Sequence, residues 1–232
     1  MERGKYYSVS VGPGDPENIT LKAVRILEEA PVIAVPQTGS GQTMALDIAE
    51  KAVDFSRKEI VKVRFTMSRD PDVLRQSREG IADILQKFMD EGRDVAMVNI
   101  GDVSIFSTAV YIGEILESRG YETRMVPGVT SFCASAAEAN ISLVEGDDRL
   151  SVISAGSDIN EALGLPGTKI IMKSGRQIDA VIEKIKARGL KACMVCNCGL
   201  ENQRIYKDIA DYNPEDAAGY FAVIIVRQEE KE

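Results

Sequence analysis

The chain predicts an α/β protein of two α/β domains, an N-terminal one on a largely parallel sheet and a C-terminal one on a mixed sheet. Three observations carry this. Short β-rich runs alternate with helix-periodic segments through the first half of the chain, and helices between strands imply crossovers and parallel pairing. Beyond Pro127-Gly128 the last strand-like runs follow one another without helices, which implies antiparallel neighbours. At 232 residues the chain is long enough for two small cores. The expected domains are residues 1–124 and 125–232, closely packed because no low-complexity linker separates them.

In order, Tyr6 to Val11 reads as a strand ending in the turn Gly12-Pro13-Gly14-Asp15-Pro16. A helix follows with Ile19, Ala23, Ile26 and Leu27 on its apolar face, and Asn18 or Asp15 available as its cap. Val32 to Val35 is a strand closed by Pro36, Gln42 to Val53 a helix, and Glu59 to Arg64 a strand. The pattern continues with a long helix over Pro71 to Glu91, a strand over Asp94 to Ile100, a helix over Ile105 to Ser118 and a strand over Tyr121 to Val126. The second half offers a helix at Ser131 to Asn140, strands at Leu150 to Ile153 and Lys169 to Lys173, a short helix near Asn160, and a helix at Ile178 to Arg188. Ala192 to Cys196, Gln203 to Lys207 and Tyr220 to Val226 complete the set as strands.

Composition narrows the chemistry. A net charge of −8 opposes binding to nucleic acid or to anionic membranes. No segment reads as a secretory signal or a membrane span, and three crowded cysteines out of four make a poor disulfide framework, so the expected location is cytoplasmic. The chain has no histidine. That excludes Ser-His-Asp and Cys-His catalysis, zinc sites containing His, and His-ligated haem.

Four stretches could carry function. GPGDP stands where α/β proteins place ligand loops, but Glu17 occupies the third glycine position of a dinucleotide fingerprint, and no Gly-Lys-Ser/Thr marks a P-loop. A plain βα turn accounts for it equally. Gly101-Asp102, with Ser104, Ser107 and Thr108 beyond, can hydrogen-bond a polar ligand or simply cap the next helix. Cys193 and Cys196 lie an odd number of residues apart in one strand, on opposite faces, and read as buried thiols, so no metal is expected. Glu145 to Asp148 reads as a solvated acidic loop.

Taken in order, VGPGDPENITLKAVRIL, the AVP ending the second strand, IGDVSIFST, VPGVTSFCASAA and GLENQRIYKDI resemble the tetrapyrrole (corrin/porphyrin) methylase family over nearly the whole chain. Within it, GDVSIFST, PGVTSF joined to LVEGDDRL, and RFTMSRDPDVL are most similar to the branch that methylates C-20 of precorrin-2 or cobalt-factor II in cobalamin biosynthesis. The resemblance implies S-adenosylmethionine as cofactor, in the cleft between the domains. It implies that Pro36, Gly101, Asp102, Ile105, Thr130, Ser131, Met172 and Leu200, with Glu201 beside it, line that site, Asp102 being the polar anchor. Gly14 and Asp15 are expected to face the tetrapyrrole, precorrin-2 or cobalt-factor II, and a homodimer is expected by family analogy.

This chain departs from the family pattern at Val103, where proline is usual after Gly-Asp, at Ser8 and Ser10, where glycine is common, and at Glu201-Asn202, where Pro-Gly is usual. The implied reaction is an in-line methyl transfer to an already nucleophilic ring carbon, so orientation carries much of the work and no histidine base is needed. The residues name no general base. Arg64, Arg69, Arg149, Lys173 and Arg176 are candidate partners for the substrate carboxylates. The competing readings are methylation at another ring position, the diphthamide branch acting on a protein, a nucleotide-binding oxidoreductase or hydrolase, and a cofactor-binding subunit without turnover.

Overall fold

The computed structural model describes residues 2–37, 41, 43–68, 70–216 and 221–227. The chain divides into two compact units, Met1–Thr130 and Ser131–Glu232.

The first unit carries five parallel strands, β1 (Tyr6–Ser10), β2 (Val32–Gln37), β3 (Glu59–Arg64), β4 (Val95–Asn99) and β5 (Thr123–Val126), in the order β3-β2-β4-β1-β5. Among the described residues its faces are covered by α1 (Leu21–Glu29), α2 (Met44–Ala49), α3 (Pro71–Asp90) and α4 (Ala109–Ser118). Strand residues alternate between faces, and the two cores follow that alternation. Val9, Val11, Ile33 and Val35 pack with Ala23, Ile26 and Leu27 of α1 and Leu46 and Ile48 of α2. On the other face Tyr6, Val32, Ala34 and Met97 pack with Ile81, Leu85 and Met89 of α3 and Ile112 and Leu116 of α4. At about 1.5–3 kcal/mol for each fully buried large aliphatic side chain, these two faces are the main source of the unit's stability.

Several ends differ from the sequence expectation. Thr20, not Asn18 or Asp15, caps α1, its hydroxyl accepting from the Ala23 N–H at 3.2 Å. Asp15 instead caps a single 3₁₀ turn, Pro16–Asn18, accepting from the Glu17 N–H at 2.9 Å. β2 runs through Pro36 to Gln37 because its pairing to β3 continues there, Pro36 standing opposite Val63. α2 stops at Ala49, short of Val53, and Gln42 lies outside the described residues. α4 begins at Ala109, four residues later than the periodicity suggests, because Phe106 takes a left-handed φ of 51° that no helix continues through.

The second unit carries α5 (Ser131–Ala139), β6 (Leu150–Ser154), α6 (Ile159–Leu163), β7 (Thr168–Met172), α7 (Ile178–Ala187), β8 (Ala192–Cys196), β9 (Arg204–Tyr206) and β10 (Ala222–Val226). Its sheet is mixed, as expected: the order is β6-β7-β10-β8-β9, with β6 and β7 parallel and the remaining pairs antiparallel. The final strand starts at Ala222; Tyr220 lies outside the described residues. Because β10 opposes both β7 and β8, strands β6, β7 and β8 run the same way and their C-terminal ends share one edge. Ile171, Met194, Ile224 and Val226 pack beneath Ile178, Ile182 and Ile185 of α7 and Leu163 of α6. Cys196 belongs to this core while Cys193 points to the opposite face, and burial pushes the Cys196 thiol up to about 11.

Candidate functional site

Strand order places the first site. β1 and β4 are neighbours, yet β1 feeds α1 on one face of the sheet and β4 feeds α4 on the other. Loops leaving adjacent parallel strands toward opposite faces open a crevice at the carboxyl ends, the usual ligand position of such sheets. The two loops here are GPGDP and GDVSIFST. Gly12 and Gly101 join them in an antiparallel bridge, the Gly101 N–H donating to the Gly12 carbonyl at 2.8 Å. Both glycines are left-handed (φ 72° and 73°), which a residue with a Cβ adopts only at a cost.

Asp102 follows Gly101 in the second of these loops, 9% exposed, with three donors on its carboxylate. Oδ1 accepts from the Ser104 N–H at 2.8 Å and from the Ser104 hydroxyl, and Oδ2 accepts from the Gly128 N–H at 2.7 Å. Burial alone raises its proton affinity, but the Gly128 and Ser104 donors outweigh it and hold the carboxyl below the ordinary range. Asp102 therefore caps its own loop and clamps it to the Pro127-Gly128 segment that follows β5. Gly128 has no room for a side chain: a Cβ there would lie 2.4 Å from the Ser10 Cβ and 2.9 Å from the Gly101 carbonyl oxygen. The Thr20 hydroxyl donates to the Pro127 carbonyl at 3.3 Å, tying the same segment to the start of α1.

The rest of the loop is held from below. Asn99, buried at the end of β4, donates to the Met97 carbonyl at 2.9 Å and accepts from the Ser107 hydroxyl at 3.2 Å. Ser107 in turn accepts from the Ala109 N–H at 3.2 Å and so starts α4. Ile105 is half-buried and its N–H donates to the Asp102 carbonyl at 3.1 Å, while Phe106 stands 41% exposed in its left-handed conformation.

Of the other expected residues of this unit, Gly14 is buried and Asp15 half-buried in the loop after β1. Pro36 lies where β2 has parted from β4, whose pairing with it ends at Ala34 and Met97. A residue without an N–H is tolerated there. Thr130 is the last residue of this unit, and Ser131 opens α5 in the next.

In the second unit Met172 ends β7 and Leu200 follows β8, at the same edge of the sheet. The chain turns sharply at both ends: Lys173 and Asn197 are left-handed (φ 57° and 52°), as are Gly175 and Gly199. The Asn197 N–H donates to the Phe221 carbonyl at 2.9 Å, which closes β8 onto the start of β10. Ser174, 3% exposed, has a hydroxyl with no hydrogen-bond partner among the described residues. The turn carrying Leu200 and exposed Glu201 is held by Gln203, which accepts from the Gly199 N–H at 2.6 Å and donates to Glu138 of α5 at 2.8 Å.

The candidate carboxylate partners do not all gather. Lys173 and Arg176 follow the C-terminal end of β7, but Arg149 stands at the opposite edge, its carbonyl accepting from the Thr168 N–H at the start of β7. A five-residue strand separates these edges by roughly 17 Å. Arg64 ends β3 in the first unit, exposed, and Arg69 lies outside the described residues. The sequence reading missed the work of Ser10, Gln203 and Gly128. A serine fully buried within an apolar strand was the available signal for the first.

Among the described residues no helix is long and apolar enough to cross a membrane. Residues 5–211 match the model of the Tetrapyrrole (Corrin/Porphyrin) Methylases. The chain is 36% identical over 185 residues to the probable cobalt-precorrin-2 C(20)-methyltransferase of Methanocaldococcus jannaschii, covering 79% of this chain and 78% of that one. It is 28% identical to the cobalt-precorrin-2 C(20)-methyltransferase of Salmonella typhimurium, covering 97% of both. Among solved structures, the uroporphyrin-III C-methyl transferase of Thermus thermophilus complexed with S-adenosylhomocysteine superposes with a TM-score of 0.70 at 21% identity, over 97% of this chain and 98% of that one. That likeness speaks to the fold, and the switch-point loops, the mixed second sheet and the match over residues 5–211 agree with it: the chain belongs to the tetrapyrrole (corrin/porphyrin) methylase family.

Proposed function

We propose that this methylase is an S-adenosylmethionine-dependent C-methyltransferase of cobalamin biosynthesis that acts on C-20 of the precorrin-2 ring. The observation that carries it is the 36% identity, over four-fifths of both chains, to a relative named for that reaction. Both that relative and the Salmonella one are named for the cobalt form of the substrate, which supports a cobalt-loaded ring over the metal-free one. A cytoplasmic homodimer stands with this proposal on family analogy.

The residues suit the cofactor. In the first unit the bridged loops present backbone groups around Gly101, and in the second the Ser174 hydroxyl is buried beside Met172 without a partner among the described residues. A buried hydroxyl left unpaired costs about 1–3 kcal/mol, which a polar ligand or an ordered water would recover. In the first unit Gly101, Asp102 and Ile105, with Pro36 and Thr130, would hold the cofactor. Bound there, S-adenosylmethionine supplies an electrophilic methyl group.

The protein's own contribution is alignment. The ring carbon is nucleophilic by itself, so the strand-end loops need to hold donor and acceptor in line and close together, a task worth several kcal/mol of barrier. Asp102 serves this by fixing the loop backbone, since its carboxylate is already spent on Ser104 and Gly128. Gly14 and Asp15 would bound the tetrapyrrole side.

Calorimetric titration with S-adenosylhomocysteine tests the cofactor assignment. Saturable one-to-one binding by the folded protein is expected. Its absence would return the nucleotide-binding reading to the front.

A further inference from the structure

Ser10 ends β1 between the two strands that carry the neighbouring loops. It is fully buried, and its single hydroxyl makes two hydrogen bonds: it donates to the Val126 carbonyl at the end of β5 at 2.7 Å and accepts from the Val103 N–H at 2.9 Å. Val103 is itself 1% exposed, its side chain packed in the core with Tyr6, Ala109 and Ile112. An N–H at that depth has no water to turn to, so it requires an acceptor from the protein. Ser10 supplies it.

A proline at position 103 would have no N–H to satisfy, and a glycine at position 10 would have no oxygen to offer. Val103 without Ser10 would bury an orphan donor, and Ser10 without the Val103 N–H would lose one of its two partners. Each residue makes sense in the presence of the other.

We infer that Ser10 is a positioning residue for the Gly101–Ile105 loop and forms one coupled unit with Val103. Its hydroxyl fixes the loop backbone by hydrogen bonding, where a proline ring would fix it covalently. It does not touch the ligand. It acts through Val103, whose neighbours Gly101, Asp102 and Ile105 are the proposed cofactor residues, so the inference rests on the proposed cofactor site.

A double-mutant cycle over the full chain tests it: wild type, Ser10→Gly, Val103→Pro and the double variant. Each is titrated calorimetrically with S-adenosylhomocysteine and examined by hydrogen exchange of the peptide spanning residues 101–108. Ser10→Gly alone is expected to weaken binding about tenfold. It should also speed exchange in that peptide while peptides from α3 and β3 keep their protection, a pattern that general destabilisation would not give. In the Val103→Pro background the same change is expected to cost less than about threefold, since the orphan donor is gone.

Equal losses in both backgrounds, or wild-type affinity in Ser10→Gly, would overturn the inference. If Val103→Pro does not fold, Ser10→Ala replaces it: a loss of affinity with faster exchange of the loop, as in Ser10→Gly, supports the inference because only the hydroxyl is removed, and near-wild-type affinity overturns it. Wild-type protein that fails to bind S-adenosylhomocysteine at all sinks the cofactor reading instead, and with it the positioning role, whatever the exchange data show.

Discussion

Asp102 is caught between two opposing effects, burial that favours the neutral acid and three donors that favour the carboxylate, and the donors prevail. A carboxyl held below its ordinary range binds fewer protons in the folded chain than in the unfolded one. Its contribution to stability is therefore complete at neutral pH and is lost in acid, as the pH falls through the lowered folded value. Melting temperatures of wild type and Asp102→Asn between pH 2.5 and 7 check this. The variant is expected to be less stable at pH 7, with the gap narrowing in acid; a gap independent of pH would mean the charge has no such role. Gly-Asp at a strand end left Asp102 readable as a ligand anchor or as a cap, and the structure shows its capping bonds to Ser104. The sequence did not reveal Gly128 as the partner, since that contact depends on β1 lying between β4 and β5, an order that no local pattern encodes.

At the scale of elements, the strand-end loops after β1, β4 and β5 form one braced assembly. Gly12 and Gly101 bridge the first two, Ser10 ties the last two, and Asp102 clamps the loop after β4 to Gly128. Gly128 is the point where these ties crowd most closely. Gly128→Ala must push β1 and the Gly101 turn apart and is expected to destabilise the first unit by about 1–3 kcal/mol, as overpacked sites do. Chemical denaturation measures it, and a change under about 0.5 kcal/mol, the scale of an ordinary surface substitution, would show the loops to be slack. Two strands were legible to the residue: β3, with its β-branched alternation, and β8, buried throughout, begin and end where the pattern says. The start of α4 was not, because helical periodicity says nothing about a left-handed Phe106 or about Ser107 capping from outside the helix. The mixed second sheet was legible from strands that succeed one another without helices. The shared edge that brings Met172 and Leu200 together follows only once β10 is placed between β7 and β8.

For the molecule as a whole, the family was readable because five motifs occur in order across both units, which no single turn would have shown. The absence of histidine from the chain is consistent with a reaction driven by alignment instead of by an imidazole base. The basic residues were the weakest part of the sequence reading: Arg149 lies at the edge of its sheet away from Lys173 and Arg176, because charge alone does not tell which end of a strand a residue occupies. The central claim is methyl transfer to C-20, and the most direct test is to incubate the purified protein with cobalt-factor II or precorrin-2 and S-adenosylmethionine carrying a 13C-methyl group, and to locate the label in the product by NMR. A single labelled methyl on C-20 is the predicted result. Label on another ring carbon, or none transferred by a protein that binds S-adenosylhomocysteine, would contradict it.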